Sequence, residues 1–177
     1  MVQARTFPSE MCQTKRPSLS RLRDRSTQPQ ELDDIIKALL SQETVAHPKV
    51  YTSVMSVYSR QRRWMNSIGL IEEMEQNNIE QNAITTNAAI SACEKGFKWQ
   101  QALIALGEMG FQALEPNVIT CNTAISACEK DAEWQQAFGL LDGLEGRGFE
   151  PQAITYNAAI SACAKGEAWQ SAHTLLW

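Results

Sequence analysis

From residue 48 onward the apolar side chains fall into short helical stripes, broken at regular intervals by polar residues and turn formers. Ala89, Ile90 and Cys93 share one face of a helix that begins near residue 83, and Trp99, Ala102, Leu103, Leu106 and Met109 share one face of the next. That three-to-four-residue spacing lets a helix bury one side and leave the other in water. Both stripes recur. Residues 84–96 read ITTNAAISACEKG, residues 119–131 read ITCNTAISACEKD and residues 154–166 read ITYNAAISACAKG, an offset of 35 each time. The same step relates Trp64, Trp99, Trp134 and Trp169, the asparagines 87, 122 and 157, the cysteines 93, 128 and 163, and Pro116 with Pro151. A fixed period in this range marks repeated supersecondary units that bury their apolar faces against one another.

The frame gives full units at 48–82, 83–117 and 118–152, and a fourth that begins at 153 and runs to Trp177 within its second helix. In the divergent first unit Trp64 and Met74 hold the register, while Tyr58 replaces the repeated cysteine. Residues 31–42, ELDDIIKALLSQ, fall where a second helix would lie, with Leu32, Ile35, Ile36, Leu39 and Leu40 at helical spacing. The segment 31–47 therefore reads as a capping half-repeat. Each unit predicts two helices joined by a tight turn, with Thr85, Thr120 and Thr155 expected as N-caps of the first helix. Gly148 in RGFEP suits the left-handed backbone that ends a helix, and Pro151 blocks continuation. Asn78 can fill the same role in the first unit, and Ala113 is a poorer choice in the second. One hairpin buries too little surface to fold alone, so the units must stack. The expected fold is all-α, a right-handed α-solenoid of about 3.5 helix-turn-helix repeats plus the half-repeat, with first helices lining its concave face.

Composition adds constraints. The chain is 44% hydrophobic and 20% charged, as in ordinary soluble proteins, and no apolar run approaches the roughly 18 residues of a membrane-spanning helix. Residues 1–30 hold Arg5, Lys15, Arg16, Arg21, Arg23 and Arg25 against Glu10 and Asp24; the remainder has ten basic and eighteen acidic residues, a net of −8. An Arg- and Ser-rich, acid-poor leader resembles an organelle transit peptide, in chloroplast or mitochondrion, although plain tails share that composition. The overall charge of −4 argues against a nucleic-acid partner unless cations are gathered locally. Arg60, Lys95, Lys130 and Lys165 recur near the end of each first helix and form such a column, which would also suit helix C-termini. Arg62 and Arg63 extend it.

Repeat length also admits the tetratricopeptide class, which binds peptides. The residues point elsewhere. Tyr156-Asn157, Cys121-Asn122 and Thr86-Asn87 at the start of the first helix, the leucine-rich second helix and the G-F-E-P ending resemble the pentatricopeptide repeat, over about 48–177. That resemblance implies single-stranded RNA as partner, one base per repeat, read by two or three side chains. It pairs Thr52 with Asn82, Asn87 with Asn117, and Asn122 with Gln152, the first favouring adenine and the second a pyrimidine. Gln152 departs from the usual Asp or Asn, and the partner of Asn157 would lie beyond the chain. Short amides and hydroxyls can donate to or accept from a base edge without charge, yet asparagines also cap helix starts. Ile84, Ile119 and Ile154 would sandwich the base or fill the core between repeats, and Lys49 breaks their column. The cationic column would contact phosphates.

Other columns point to packing rather than chemistry. The cysteines have no CxxC partner or nearby histidine, and successive repeats would set them about 10 Å apart, beyond disulfide reach, so they are expected as small buried apolar residues. The tryptophans are expected to pack against their own hairpin partner. His47 and His173 are far apart in the frame, with no nucleophile, carboxylate pair or phosphate loop beside them. The expectation is a non-enzymatic RNA-binding module without cofactor or metal, taking no small-molecule substrate, and working with RNA-processing proteins in transcript stabilisation, processing or editing. The RNA-binding part of a larger nuclease, of the protein-only ribonuclease P kind, and a tetratricopeptide-like scaffold are the alternatives.

Overall fold

The structure, a computed structural model, describes residues 29–40 and 48–174. The expected leader lies almost wholly outside the described residues, as do 41–47 and the last three. One unit contributes helix α1 (Pro29–Leu40), with Ile36 and Leu39 buried. A second unit carries α2 (Pro48–Arg60), α3 (Trp64–Gln76), α4 (Ala83–Lys95), α5 (Trp99–Phe111), α6 (Val118–Lys130), α7 (Trp134–Gly146), α8 (Ala153–Lys165) and α9 (Trp169–Thr174). Every described element is helical.

The first helices α2, α4, α6 and α8 pack successively on one another. The second helices α3, α5 and α7 each pack on their own partner and on the first helix of the next hairpin, as α5 does on α4 and α6, and α9 packs on α8. The α-solenoid expected from the period is therefore present. Its core follows the apolar stripes: Ile90, Cys93, Ala102 and Met109 form one cluster with Ala124 and Ala127 of the next unit, and Ile125, Cys128, Ala137 and Leu144 form another with Ala162. Each cluster crosses a unit boundary, so no hairpin owns a complete core. Burying an Ile, Leu or Met side chain contributes about 1.5–3 kcal/mol, and most of that gain exists only in the stack.

Helix ends are set by backbone geometry. In the linkers, Asn78, Ala113 and Gly148 have φ of 52°, 55° and 77°. The N–H groups of Ile79, Leu114 and Phe149 then donate to the carbonyls of Met74, Met109 and Leu144 five residues back. This Schellman closure satisfies carbonyls that the helix leaves unpaired. The hairpin turns use the same device without glycine, at Arg62, Phe97, Ala132 and Glu167, all with φ between 56° and 61°.

At the start of the first helices the expected caps are corrected. The N-caps are Asn82, Asn117 and Gln152, three residues earlier than the threonines. Asn82 Oδ1 accepts from the N–H groups of Ile84 and Thr85, each at 3.0 Å, and Asn117 Oδ1 from that of Thr120 at 2.9 Å. Thr85 returns the bond as the N3 residue of a capping box, its Oγ1 accepting from Asn82 N–H at 3.1 Å. Gln152 makes no side-chain cap bond, and Thr155 N–H turns to the Gln152 carbonyl at 2.8 Å.

The tryptophans at the start of α3, α5 and α7 do more than fill their own hairpins. Trp99 and Trp134 pack on the core of their own hairpins, and Trp64 and Trp134 also reach the following unit: a Cβ on Gly96 would sit 2.7 Å from Trp64 Cδ1, and one on Gly166 2.6 Å from Trp134 Cδ1. Between these two, Asp131 holds the glycine's place, and its Oδ2 accepts from the Trp99 N–H at 3.3 Å. The carboxylate thereby caps α5 from the neighbouring unit, where α5's own N-cap Lys98 supplies no side-chain bond.

Candidate nucleic-acid interface

Because successive first helices stack in register, residues 35 apart come to lie side by side along one face. A groove of about 760 Å³ runs between α6 and α8, lined among others by Ile119, Asn122, Gln152, Ile154 and Asn157. Five of the residues singled out in the sequence therefore share one concavity. Ile84, Ile119 and Ile154 are 66%, 68% and 64% exposed. Isoleucines this open lie outside the core between repeats, the alternative placement considered for them.

The pairs divide by role. Asn82 and Asn117 each spend Oδ1 on the helix start that they cap. The other members lie one turn into the helix. Thr52 Oγ1 donates back to the Pro48 carbonyl at 3.0 Å. Asn87 Oδ1 accepts from Thr120 Oγ1 at 2.6 Å, and Asn122 Oδ1 from Thr155 Oγ1 at 2.7 Å. Asn157 is exposed on the same face of α8.

The cationic column is partly neutralised by acids that the sequence reading did not single out. Lys130 Nζ lies 2.8 Å from Glu94 Oε1 and Lys165 Nζ 2.9 Å from Glu129 Oε1, each lysine reaching back to the preceding unit. Ser126 and Ser161 donate to the same carboxylates. Burial works to raise the Glu129 pKa, but hydrogen bonds from Lys165 and Ser161 and the charges of Lys165 and Lys130 hold it below the ordinary value. Ser59 occupies the corresponding place before Lys95, so no carboxylate faces Lys95 from that position. Arg60 Nε donates to the Ser56 carbonyl at 3.3 Å. Arg62 lies over the Phe97 ring at 5.5 Å and Arg63 over the Tyr58 ring at 4.9 Å.

Cys93, Cys121, Cys128 and Cys163 are free thiols in the core. Burial pushes Cys93 and Cys128 up to about 12, where a thiol is a poor ligand or nucleophile. Among the described residues no three His, Cys, Asp or Glu side chains form a metal-binding group, and no helix is long and apolar enough to cross a membrane.

A stack of helical hairpins repeated every 35 residues, with amides and hydroxyls aligned along one face, defines a helical-repeat protein. The model described as the PPR repeat family matches residues 116–165, and that of the PPR repeat matches residues 49–79. The chain is a pentatricopeptide repeat protein. Among solved structures it is similar to the pentatricopeptide repeat protein PPR10 in complex with an 18-nt psaJ RNA element, with a TM-score of 0.67 and 25% identity over 83% of this chain and 22% of that one. It is also similar to PPR10 from maize, with a TM-score of 0.66 and 23% identity over 85% of this chain and 24% of that one. The chain thus spans under a quarter of the length of these structures. No curated protein matches it in sequence.

Proposed function

We propose that the chain binds single-stranded RNA along the face formed by α2, α4, α6 and α8, without catalysing a reaction. Thr52, Asn87, Asn122 and Asn157 meet base edges, with Asn82, Asn117 and Gln152 beside them. Ile84, Ile119 and Ile154 flank the bases, and Arg60 and Lys95 supply phosphate contacts that Lys130 and Lys165 join when released from their acids. The observation that carries this reading is the shared groove, which collects apolar flanks and uncharged hydrogen-bonding groups at one spacing. The RNA bound by the similar PPR10 structure supports it. In the cell, the same reading assigns the chain to organelle RNA stabilisation, processing or editing through partner proteins, with residues 1–30 as the targeting segment and 31–47 as the cap.

Each stacked and hydrogen-bonded base contributes roughly 1–3 kcal/mol before ordering costs, so few repeats give weak, shallow selectivity. The test is retention of a random-sequence RNA pool by the chain across a salt series. The expected result is salt-sensitive retention with enrichment of adenine followed by a pyrimidine, lost in the Asn87→Ala and Asn122→Ala variants. Retention of no RNA, together with binding of peptides on the same face, would replace the reading with a protein-binding scaffold.

A further inference from the structure

Two of the three asparagines assigned above to base edges, Asn87 and Asn122, are not finished by their own repeats. Asn122 belongs to α6, yet its Oδ1 is held by a hydroxyl from α8, and Asn87 on α4 is held in the same way from α6. An amide presents an acceptor on one edge and two donors on the other, so whatever occupies the oxygen decides which edge is left for a ligand.

The threonine's own bonds settle the direction. Thr155 Oγ1 accepts from the Gln152 backbone N–H at 3.2 Å, and an N–H cannot accept in return. The hydroxyl's single proton is thus available to Asn122 Oδ1 at 2.7 Å. With the oxygen engaged, the Nδ2 hydrogens are left to face the groove that Asn122 lines. At the preceding junction Thr120 accepts from Asn117 N–H at 3.4 Å and has two acceptors in reach, Asn87 Oδ1 at 2.6 Å and Asn117 Oδ1 at 3.0 Å, of which the first is nearer. The first junction differs. Thr85 donates to the Asn82 carbonyl at 2.8 Å, and Thr52 donates to the Pro48 carbonyl at its own helix start, so the hydroxyl of Thr85 is not spent on the residue at the reading position of the preceding unit. All three threonines are fully buried, which shields the bridges from competing water.

We propose that Thr155 and Thr120 are positioning residues that act across the repeat junction, locking the Asn122 and Asn87 amides with their donor edge towards the groove and so selecting bases that offer acceptors there. The inference rests on the RNA-binding reading above. In consequence a repeat's base preference depends on the third residue of the repeat that follows it. It also makes the Asn122 lock stricter than the Asn87 lock, because Thr120 has a second acceptor.

The experiment compares Thr155→Val, Thr155→Ser and Thr85→Val in the full chain. Thr155→Val and Thr85→Val each lose one capping-box bond, so they match as perturbations of stability, but only the first removes a bridge. Without RNA, ¹⁵N relaxation of the Asn122 side-chain amide reports the lock directly. A rigid amide in the parent chain and in Thr155→Ser and Thr85→Val, but a mobile one in Thr155→Val, is the expected pattern. With a random RNA pool, Thr155→Val should lose roughly fivefold of the base discrimination at one position, about one hydrogen bond's worth, and Thr155→Ser should keep it. An Asn122 amide unchanged in Thr155→Val, or loosened equally by Thr85→Val, overturns the lock. Unaltered base preference in Thr155→Val with a loosened amide overturns its role in selection. A parent chain that enriches no RNA overturns the base-reading part together with the function proposed above, while the relaxation result still decides whether the bridge fixes the amide.

Discussion

Neutralising Glu94 and Glu129 should convert an internally paired cation column into a phosphate-binding one. In the parent chain each carboxylate sits within 3 Å of a lysine of the next unit, with side-chain exposures of 29% and 18% for the Lys130 pair and 47% and 22% for the Lys165 pair. Pairs this open contribute only about 0.2–1 kcal/mol each, so the Glu94→Gln, Glu129→Gln variant should fold with a modest loss of stability. Its two released lysines should then reach RNA. Each phosphate neutralised on a single strand steepens the slope of log affinity against log salt by about 0.7, so two add about 1.4. Between 50 and 200 mM salt that amounts to roughly a sevenfold steeper fall in affinity, with tighter binding at the low end. Fluorescence anisotropy with a short labelled RNA measures it. Glu108→Gln with Glu150→Gln, exposed acids off the column, makes the same net-charge change and should leave the slope within about 0.3 of the parent value. Equal slopes in both double variants would refute the assignment of Lys130 and Lys165 to the phosphate path.

Three further outcomes concern the scaffold. Gly96→Ala should cost about 1–3 kcal/mol, because its Cβ would meet Trp64 at 2.7 Å, whereas Gly107→Ala, with open space in the middle of α5, should stabilise by about 0.5–1 kcal/mol; urea unfolding reads both signs. Asp131→Ala should cost about 0.5–2 kcal/mol by uncapping α5 from the neighbouring unit, and Asp131→Asn, which keeps an acceptor, should recover most of it in the same assay. Since the Glu129 carboxyl is held below its ordinary value of 4.5, its contribution is present at neutral pH and is lost as pH falls through the lowered value. Thermal unfolding midpoints between pH 7 and pH 3 should therefore fall less steeply in Glu129→Gln than in the parent.

The periodicity carried the fold because each apolar and stop column is sampled several times, so one poor residue, such as Ala113 in a left-handed site, does not obscure it. Capping was harder to read. Asn82 and Thr85 are both good capping types three residues apart, and a capping box uses both, so the sequence does not say which side chain comes first. The hairpin turns were hidden for a similar reason: Arg62, Phe97, Ala132 and Glu167 have no chemistry that announces a positive φ. The groove's acids were missed because Glu94 is adjacent in sequence to Lys95 yet bonds Lys130, and that relation exists only once the helices are stacked. Likewise Thr120 and Thr155 looked like local caps, and their bonds to Asn87 and Asn122 belong to the junction. Legibility was high for what repeats within a unit and low for what forms between units.

Chemical-shift mapping tests the central claim most directly. On titrating a short single-stranded RNA into ¹⁵N-labelled chain, shifts should concentrate on the side-chain amides of Asn87, Asn122 and Asn157 and on the exposed turns of α4, α6 and α8 around Ile84, Ile119 and Ile154. The outward-facing residues of α3, α5 and α7 should stay still. Shifts confined to those second helices, or none at RNA concentrations up to the millimolar range typical of weak binding, would contradict the account.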